Sequence, residues 1–408
     1  MADGKHQGGL DQQVERFRSA SPGQPGQCHG ASRNRCHGED RDADDVPAQR
    51  EVLQYEPAAQ QDLPTHVVSG QHGPIIVGSS TRYGLAVAQS PLPEFVVVGE
   101  ALIDLSAPAD DGSCVARPGG SPMNVAIGLA RLGQRTEFAG RLSADPFGTI
   151  LRHQLERAEV GLRHAVSAAE PSTIALVELS GGQASYRFSL GADFCWTDEE
   201  LAFLPGEAAF IHFGSLASWL PPGGAAVRTA IERVRRDGRP VLISYDPNVR
   251  PALQPDVPAA RQQVEASAGL ADVVKASTED LAWLYPAQTA DAVAGRWLAQ
   301  GVRLVVITVG ADGATGWAGR APVTRRPLEA EVVDTVGAGD AFTSGLLDAL
   351  ARRELTTPDS LSALADSTLL AAVIDDASLV AGITCSRAGA SPPTRAEVDA
   401  FQAGQLAG

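Results

Sequence analysis

The chain has 408 residues, a hydrophobic share of 44%, a charged share of 20%, and a formal net charge of −16 with a pI near 4.9. This is the composition of an ordinary folded protein, long enough for two average domains or for one large α/β domain with an appendage. No Lys/Arg run is longer than a pair, so the chain lacks the concentrated positive field that nucleic acid or an anionic membrane requires.

Five cysteines (28, 36, 114, 195 and 385) are scattered and odd in number, which argues against a disulfide framework and for a reducing cytoplasm. The first thirty residues are polar, without the apolar stretch of a secretory leader, and no run of about 18 apolar residues predicts a membrane span. Residues 1–94 are rich in Gln, Gly, Pro, Asp and Ser. Such a stretch buries too little apolar surface to offset chain entropy and reads as a disordered tail, or as sequence upstream of the true start. The pairs Cys28-His29 and Cys36-His37 within it match no standard zinc spacing.

From Phe95 the pattern changes. FVVVG (95–99) predicts a buried strand, and SAPADDGSCVARPGG (106–120) reads as strand and turn. NVAIGLARLG predicts a helix closed by Gly133, followed by a strand at FAGRL (138–142). DPFGTILRHQLERAEV opens with Asp145 as N-cap and Pro146 at the first helical position. Residues 172–193 alternate with period 2 around a Gly-Gly pair, a hairpin signal.

Beyond the hairpin, strands FIHFGS (210–215), VLISYD (241–246), ADVVKAS (271–277) and LVVITVG (304–310) alternate with helical stretches. The last of these helices is closed by Gly301. A strand-like run from Leu328 to Val333 then leads into a final apolar helical pattern. Alternating buried strands and helices imply an α/β domain over 95–408 with a mainly parallel sheet covered on both faces. The two irregular segments, about 106–120 and 172–193, are expected to form a small β-sheet lid over a pocket at the carboxyl ends of the strands.

Candidate chemistry centres on DTVGAGDAFTSG (334–345), where two glycines and an alanine precede a helix. Bare amides at a helix start cradle anions. A dinucleotide loop fails here, because Phe342 stands where the third small residue belongs and the motif comes last in the chain. No P-loop or protein-kinase motif occurs. Phosphoryl transfer explains why Asp340 ends the cradle: the amides of Gly337, Ala338 and Gly339 stabilise developing phosphate charge, and Asp340 takes the proton of the attacking alcohol. The plainer reading, an acid that favours a helix N-terminus, stays open at this point.

These residues resemble the C-terminal signature of the phosphofructokinase-B, or ribokinase-like, carbohydrate kinases. The N-terminal signature of that family is also present as PGGSPMNVA (118–126), and the similarity covers about residues 95–405. GEALIDL (99–105), DPNVRPAL (246–253), VKASTEDLAWL (274–284), VVITVGADGA (305–314) and TCSRAGA (384–390) are most similar to fructokinases and 2-keto-3-deoxygluconate kinases. The resemblance implies a three-layer α/β fold with a small β lid. It also implies a sugar and ATP as partners, Mg2+ with the ATP, K+ as a second cation, and a homodimer paired through the lid.

The same resemblance makes Asp340 the base and gives Asp104, Gly119, Gly120 and Asn124 to sugar hydroxyls, with Arg250 and Arg187 as cations near the substrate. The competing readings are a strand-end acid for Asp104, a turn for the glycines, a helix N-cap for Asn124 and solvated charges for the arginines. Thr308, Gly310, Gly313 and Gly389 fall on the nucleotide side, and Asp334 in a monovalent-cation loop.

Two departures stand out. Where the family often has Asn-x-x-Glu, here is Ser277-Thr-Glu-Asp280, in which Asp280 holds Mg2+ through water or serves only in a capping box. Where an Asn commonly approaches adenine, VIDDASLVAG offers Ser378. Fructokinase is the first reading and 2-keto-3-deoxygluconate kinase the second. A non-catalytic sugar or nucleotide sensor is the alternative of another class.

Overall fold

The computed structural model describes residues 94–106, 114–180, 183–319, 321–327 and 331–406. The expected N-terminal tail with its Cys-His pairs therefore lies outside the described residues, except that Glu94 already belongs to the first strand.

In chain order the strands are β1 (Glu94–Val98), β2 (Leu102–Leu105), β3 (Ala116–Gly119), β4 (Arg135–Ala139), β5 (Arg141–Ser143), β6 (Val166–Ala168), β7 (Ile174–Ser180), β8 (Gln183–Ser189), β9 (Ala208–Gly214), β10 (Leu242–Asp246), β11 (Val273–Ser277), β12 (Leu304–Thr308), β13 (Ala314–Trp317) and β14 (Val323–Arg325). The helices are α1 (Ser121–Arg131), α2 (Pro146–Arg157), α3 (Gly223–Arg236), α4 (Val257–Ala268), α5 (Thr278–Leu284), α6 (Ala290–Ala299), α7 (Ala338–Arg352), α8 (Ser367–Cys385) and α9 (Arg395–Leu406).

Eight strands form the main sheet in the order β14-β13-β12-β11-β10-β9-β1-β4. The six from β12 to β4 run parallel, and β13 and β14 are antiparallel at one edge. The apolar runs are strands because the sheet is covered on both sides, so neither face can be polar. Successive side chains feed opposite faces. Val96 and Val98 pack with Val227, Val264, Leu284 and Trp297 of α3 to α6, whereas Phe95 and Val97 pack with Leu129, Leu151, Leu346 and Val373 of α1, α2, α7 and α8. Asp145 caps α2 by accepting from the Gly148 amide at 2.7 Å, with Pro146 at the first helical position. Gly133 and Gly301 follow the last turns of α1 and α6.

The second sheet has the order β3-β2-β7-β8. The expected hairpin is present as antiparallel β7 and β8, paired from Ile174↔Ser189 to Ser180↔Gln183. Its Gly181-Gly182 turn lies outside the described residues, as do residues 107–113 of the other irregular segment.

Two expectations are corrected. FAGRL is not one strand: the chain leaves the main sheet after Ala139, passes through Gly140, and starts β5, which pairs with β6. A Cβ at Gly140 would overlap the Phe138 ring, so the bend depends on glycine there. Residues 331–333 of the Leu328–Val333 run are not strand either. The Val333 and Asp334 amides both donate to the Cys385 carbonyl, at 2.8 and 3.1 Å, and so satisfy their bonding at the end of α8 and not in a sheet.

One helix, α8, has 19 residues and a mean hydropathy of 1.6, sufficient in length and composition to cross a bilayer. Here it packs against α7, and its Asp375 and Asp376 pair with Arg325, Arg352 and Arg353. Its apolarity serves the core.

Candidate active site

A cavity of ≈ 320 Å³ opens where β1, β9, β10 and β11 end and α7 begins. One wall is the second sheet. Asp104 pairs in register with Ala175, and Ala175 with Phe188, so the three form a row on one face of the sheet, and all three line the cavity. Alternation turns Arg187, one residue before Phe188, to an exposed position off that wall. The expected substrate cation on the hairpin is thus replaced at the cavity by an aromatic ring.

Gly119 makes room for Asp104, because a Cβ there would overlap the Asp104 carboxylate. The carboxyl of Asp104 is pushed up to about 6 by burial and by the nearby Asp340, against the opposing pull of Arg250. Arg250 also lines the cavity, and its Nη1 is anchored by the Asn248 side-chain oxygen at 2.6 Å.

The floor belongs to α7. Gly337 is its N-cap at φ 76, a left-handed conformation that suits glycine, and a Cβ there would press on Ala390 at 2.6 Å. The Ala338 amide is used in a turn to the Thr335 carbonyl at 3.2 Å. The amides of Gly339 and Asp340 make no backbone bond of this kind among the described residues, and so remain open for an anion. Gly337 and Gly339 border the cavity and Ala338 does not.

Asp340 lies in the first helical turn, bordering the cavity. Its Oδ1 accepts from Ser121 Oγ at 2.7 Å and its Oδ2 from Asn124 Nδ2 at 2.8 Å. Burial pushes its pKa up, offset by these two donors and by the Lys275 ammonium. Asn124 was expected to meet sugar hydroxyls. In this structure it is bonded to Asp340, and its backbone, donating to the Gly120 carbonyl at 2.9 Å, sits one turn into α1 and not at the N-cap, which is Gly120.

The remaining expected residues lie elsewhere. Asp280 does not border the cavity. Its Oδ1 accepts from the Val249 amide at 2.9 Å, and its Oδ2 from the Ser277 amide and hydroxyl at 2.9 and 2.7 Å, completing a capping box at α5. Thr308 pairs in register with Ser277 at the carboxyl edge of the sheet, next to the Gly310–Gly313 turn. Gly389 donates its amide to Asp334 Oδ2 at 2.8 Å, while Asp334 Oδ1 accepts from Val336 at 3.0 Å. These bonds hold the Asp334 carboxyl below its usual range. Ser378 on α8 is 5% exposed and does not line this cavity.

Several residues at the cavity escaped the sequence reading. Ser121 had a signal, standing beside Gly120 in PGGSPMN. Glu100, 1% exposed, accepts from the Ala217 amide at 3.0 Å and ties the end of β1 to the loop after β9. Lys275 had the clearest signal, a charge in the middle of the buried strand VVKAS. No group of three or more His, Cys, Asp or Glu residues suited to a metal occurs among the described residues.

A doubly covered α/β sheet, a small second sheet over the carboxyl ends of its strands, and a carboxylate at a helix N-terminus with open amides define a ribokinase-like small-molecule kinase. Residues 93–397 match the model of the pfkB family of carbohydrate kinases. The chain is 36% identical over 277 residues to a fructokinase of Rhizobium leguminosarum bv. trifolii, covering 66% of this chain and 84% of that one. It is 36% identical over 282 residues to a fructokinase of Klebsiella pneumoniae, covering 67% and 89%. Among solved structures, a fructokinase with bound ATP from Xylella fastidiosa superposes with a TM-score of 0.71 at 27% identity, over 77% of this chain and 99% of that one. A fructokinase from Vibrio cholerae O395 bound to fructose, ADP and potassium gives 0.65 at 27% identity, over 76% and 98%. The chain belongs to the pfkB family of carbohydrate kinases.

Proposed function

We propose that this protein is an ATP-dependent fructokinase in which Asp340 is the general base. The observation that carries this reading is the Asp340 carboxylate held by Ser121 and Asn124 at the cavity floor, beside open amides of α7. The sugar hydroxyl loses its proton to Asp340 as its oxygen bonds to the γ-phosphorus, and the bond from that phosphorus to the β–γ bridging oxygen breaks to release ADP. The amides of Gly339 and Asp340, at the positive end of the α7 dipole, stabilise the equatorial oxygens. Asp104 and the Gly119–Gly120 backbone accept and donate to sugar hydroxyls, and Arg250 supplies positive charge. Mg2+ bound with the triphosphate would supply positive charge that offsets the charge of the transferred group. The Asp334 loop is the candidate for a monovalent cation, and the second sheet is the lid. The nucleotide lies over Thr308, Gly310, Gly313 and Gly389. ATP as co-substrate and the cysteines Cys114, Cys195 and Cys385, none of them in a disulfide among the described residues, fit a cytoplasmic enzyme.

Support for fructose comes from the curated relatives above. The sugar-acid reading would rest on Arg250, whose Nη1 is anchored by Asn248 at the cavity, to meet the substrate carboxylate. The test is coupled ADP release over a panel containing fructose, glucose, ribose and 2-keto-3-deoxygluconate, with Asp340→Asn beside the wild type. Fructose should give the highest kcat/KM, and Asp340→Asn should lose about 10²- to 10⁴-fold in kcat with fructose binding retained. Sugar binding without turnover in the wild type would favour the sensor.

A further inference from the structure

We propose that Lys275 is a second catalytic residue, whose ammonium contacts the phosphoryl group in transfer from the β11 side, facing the open amides of α7. This rests on the kinase reading above and adds to it a full positive charge that the amides lack.

Lysine is almost absent from this chain. Of 33 Lys and Arg residues, the lysines are Lys5 and Lys275 alone. A chain that uses arginine at nearly every cationic position retains lysine inside the strand that ends at the site. An ammonium is a compact point charge on a flexible stem, whereas guanidinium is a planar fork that needs several acceptors in one plane. Lys275 is 5% exposed, yet it borders the cavity.

Its Nζ donates to Asp246 Oδ2 at 2.9 Å. An ammonium carries three donors, and this is its single hydrogen bond among the described residues. The ammonium also lies beside α7: a Cβ built on Gly339 would lie 3.1 Å from Nζ. Gly339 therefore lets the charge approach the turn where the Gly339 and Asp340 amides are open.

The electrostatics favour a second cation beside Arg250, which also lines the cavity. Glu100, Asp104 and Asp340 all border the cavity, with Asp246 directly behind the ammonium. A phosphate entering this acidic surround is repelled unless a full charge meets it. Burial works against the charged form of Lys275, but Asp246, Asp280 and Asp340 outweigh it and keep the ammonium protonated.

The plainer role is a counter-ion for Asp246, and two measurements separate it from catalysis. The first uses the full chain with ¹⁵N-labelled lysine, in which Lys5→Arg assigns the second ammonium signal. The Lys275 signal should move on adding Mg2+ with a non-hydrolysable ATP analogue and fructose, and should move much less with Mg-ADP and fructose. A signal indifferent to the γ-phosphoryl group overturns the proposal. The second compares Lys275→Met/Asp246→Asn, which removes both buried charges together, with the wild type. The proposal expects kcat down by about 10²-fold or more, as for loss of a transition-state donor, with fructose KM within about threefold. Recovery to within about threefold of wild-type kcat overturns it. If the double variant does not fold, the signal of the wild-type chain decides alone. Fructose-dependent ADP release by the wild type is the control: its absence sinks the kinase reading itself, while its presence with a fully active double variant sinks only the role of Lys275.

Discussion

Ser121 and Asp340, 219 residues apart in sequence, are joined by a 2.7 Å hydrogen bond at the mouth of two different helices. The bond stabilises the ionised carboxylate, as does the one from Asn124. Removing either donor should therefore raise the pKa of Asp340. With Ser121→Ala, the pH below which kcat falls should move up by about one unit, since a hydrogen bond to a charged group contributes about 1.5–3 kcal/mol and one pKa unit is about 1.4 kcal/mol. A pH–kcat profile measures this, and an unmoved acid limb would remove Asp340 from the role of base.

Asp104 links pH to both affinity and stability. Its folded pKa, about 6, lies above the ordinary value of 3.8. The sign follows: the folded state holds the proton more tightly than the unfolded chain, so the contribution of this group is fully present below about pH 4 and is lost as pH rises through 6. Asp104→Asn should then raise Tm at pH 8 by a few degrees, on the order of 3 kcal/mol at most, and change it little at pH 4. The same variant should raise the KM for fructose at least about tenfold. A lower Tm at pH 8 would contradict the burial argument.

Gly119 offers a test of geometry that leaves the charge in place. Its substitution by alanine would displace the Asp104 carboxylate without touching α7. Gly119→Ala should raise the KM for fructose by about an order of magnitude while the KM for ATP stays within about twofold. Equal effects on both substrates, read from initial-rate kinetics, would show that the small sheet does not act at the sugar alone.

Asp280 is occupied on both oxygens by Val249 and Ser277. Its loss leaves buried donors unsatisfied and removes a helix cap, so Asp280→Ala should cost about 2–4 kcal/mol of stability. In preparations that remain folded, the Mg2+ concentration for half-maximal activity should stay within about twofold. A tenfold rise in that concentration would restore a metal role through water.

The sequence was most legible where a pattern is local. Buried strands, the Asp145-Pro146 helix start, the closing glycines and the hairpin all follow from neighbouring residues, and each is in place. The misreadings have a common cause. FAGRL breaks because Gly140 lets the chain leave one sheet for another, and Val333 and Asp334 bond to Cys385, a partner some fifty positions away. Arg187 and Phe188 differ by a single step of strand alternation, which decides which of them meets the cavity.

Sequence alone determined the α/β class, the glycine turn before α7 and the acid in its first turn, because backbone conformation and helix polarity are set by residues next to one another. Tertiary structure alone decided what surrounds that acid. Ser121 and Asn124 on α1, Lys275 on β11 and Asp104 on β2 come to one cavity because parallel strands end at the same edge of the sheet, and no spacing along the chain records that meeting.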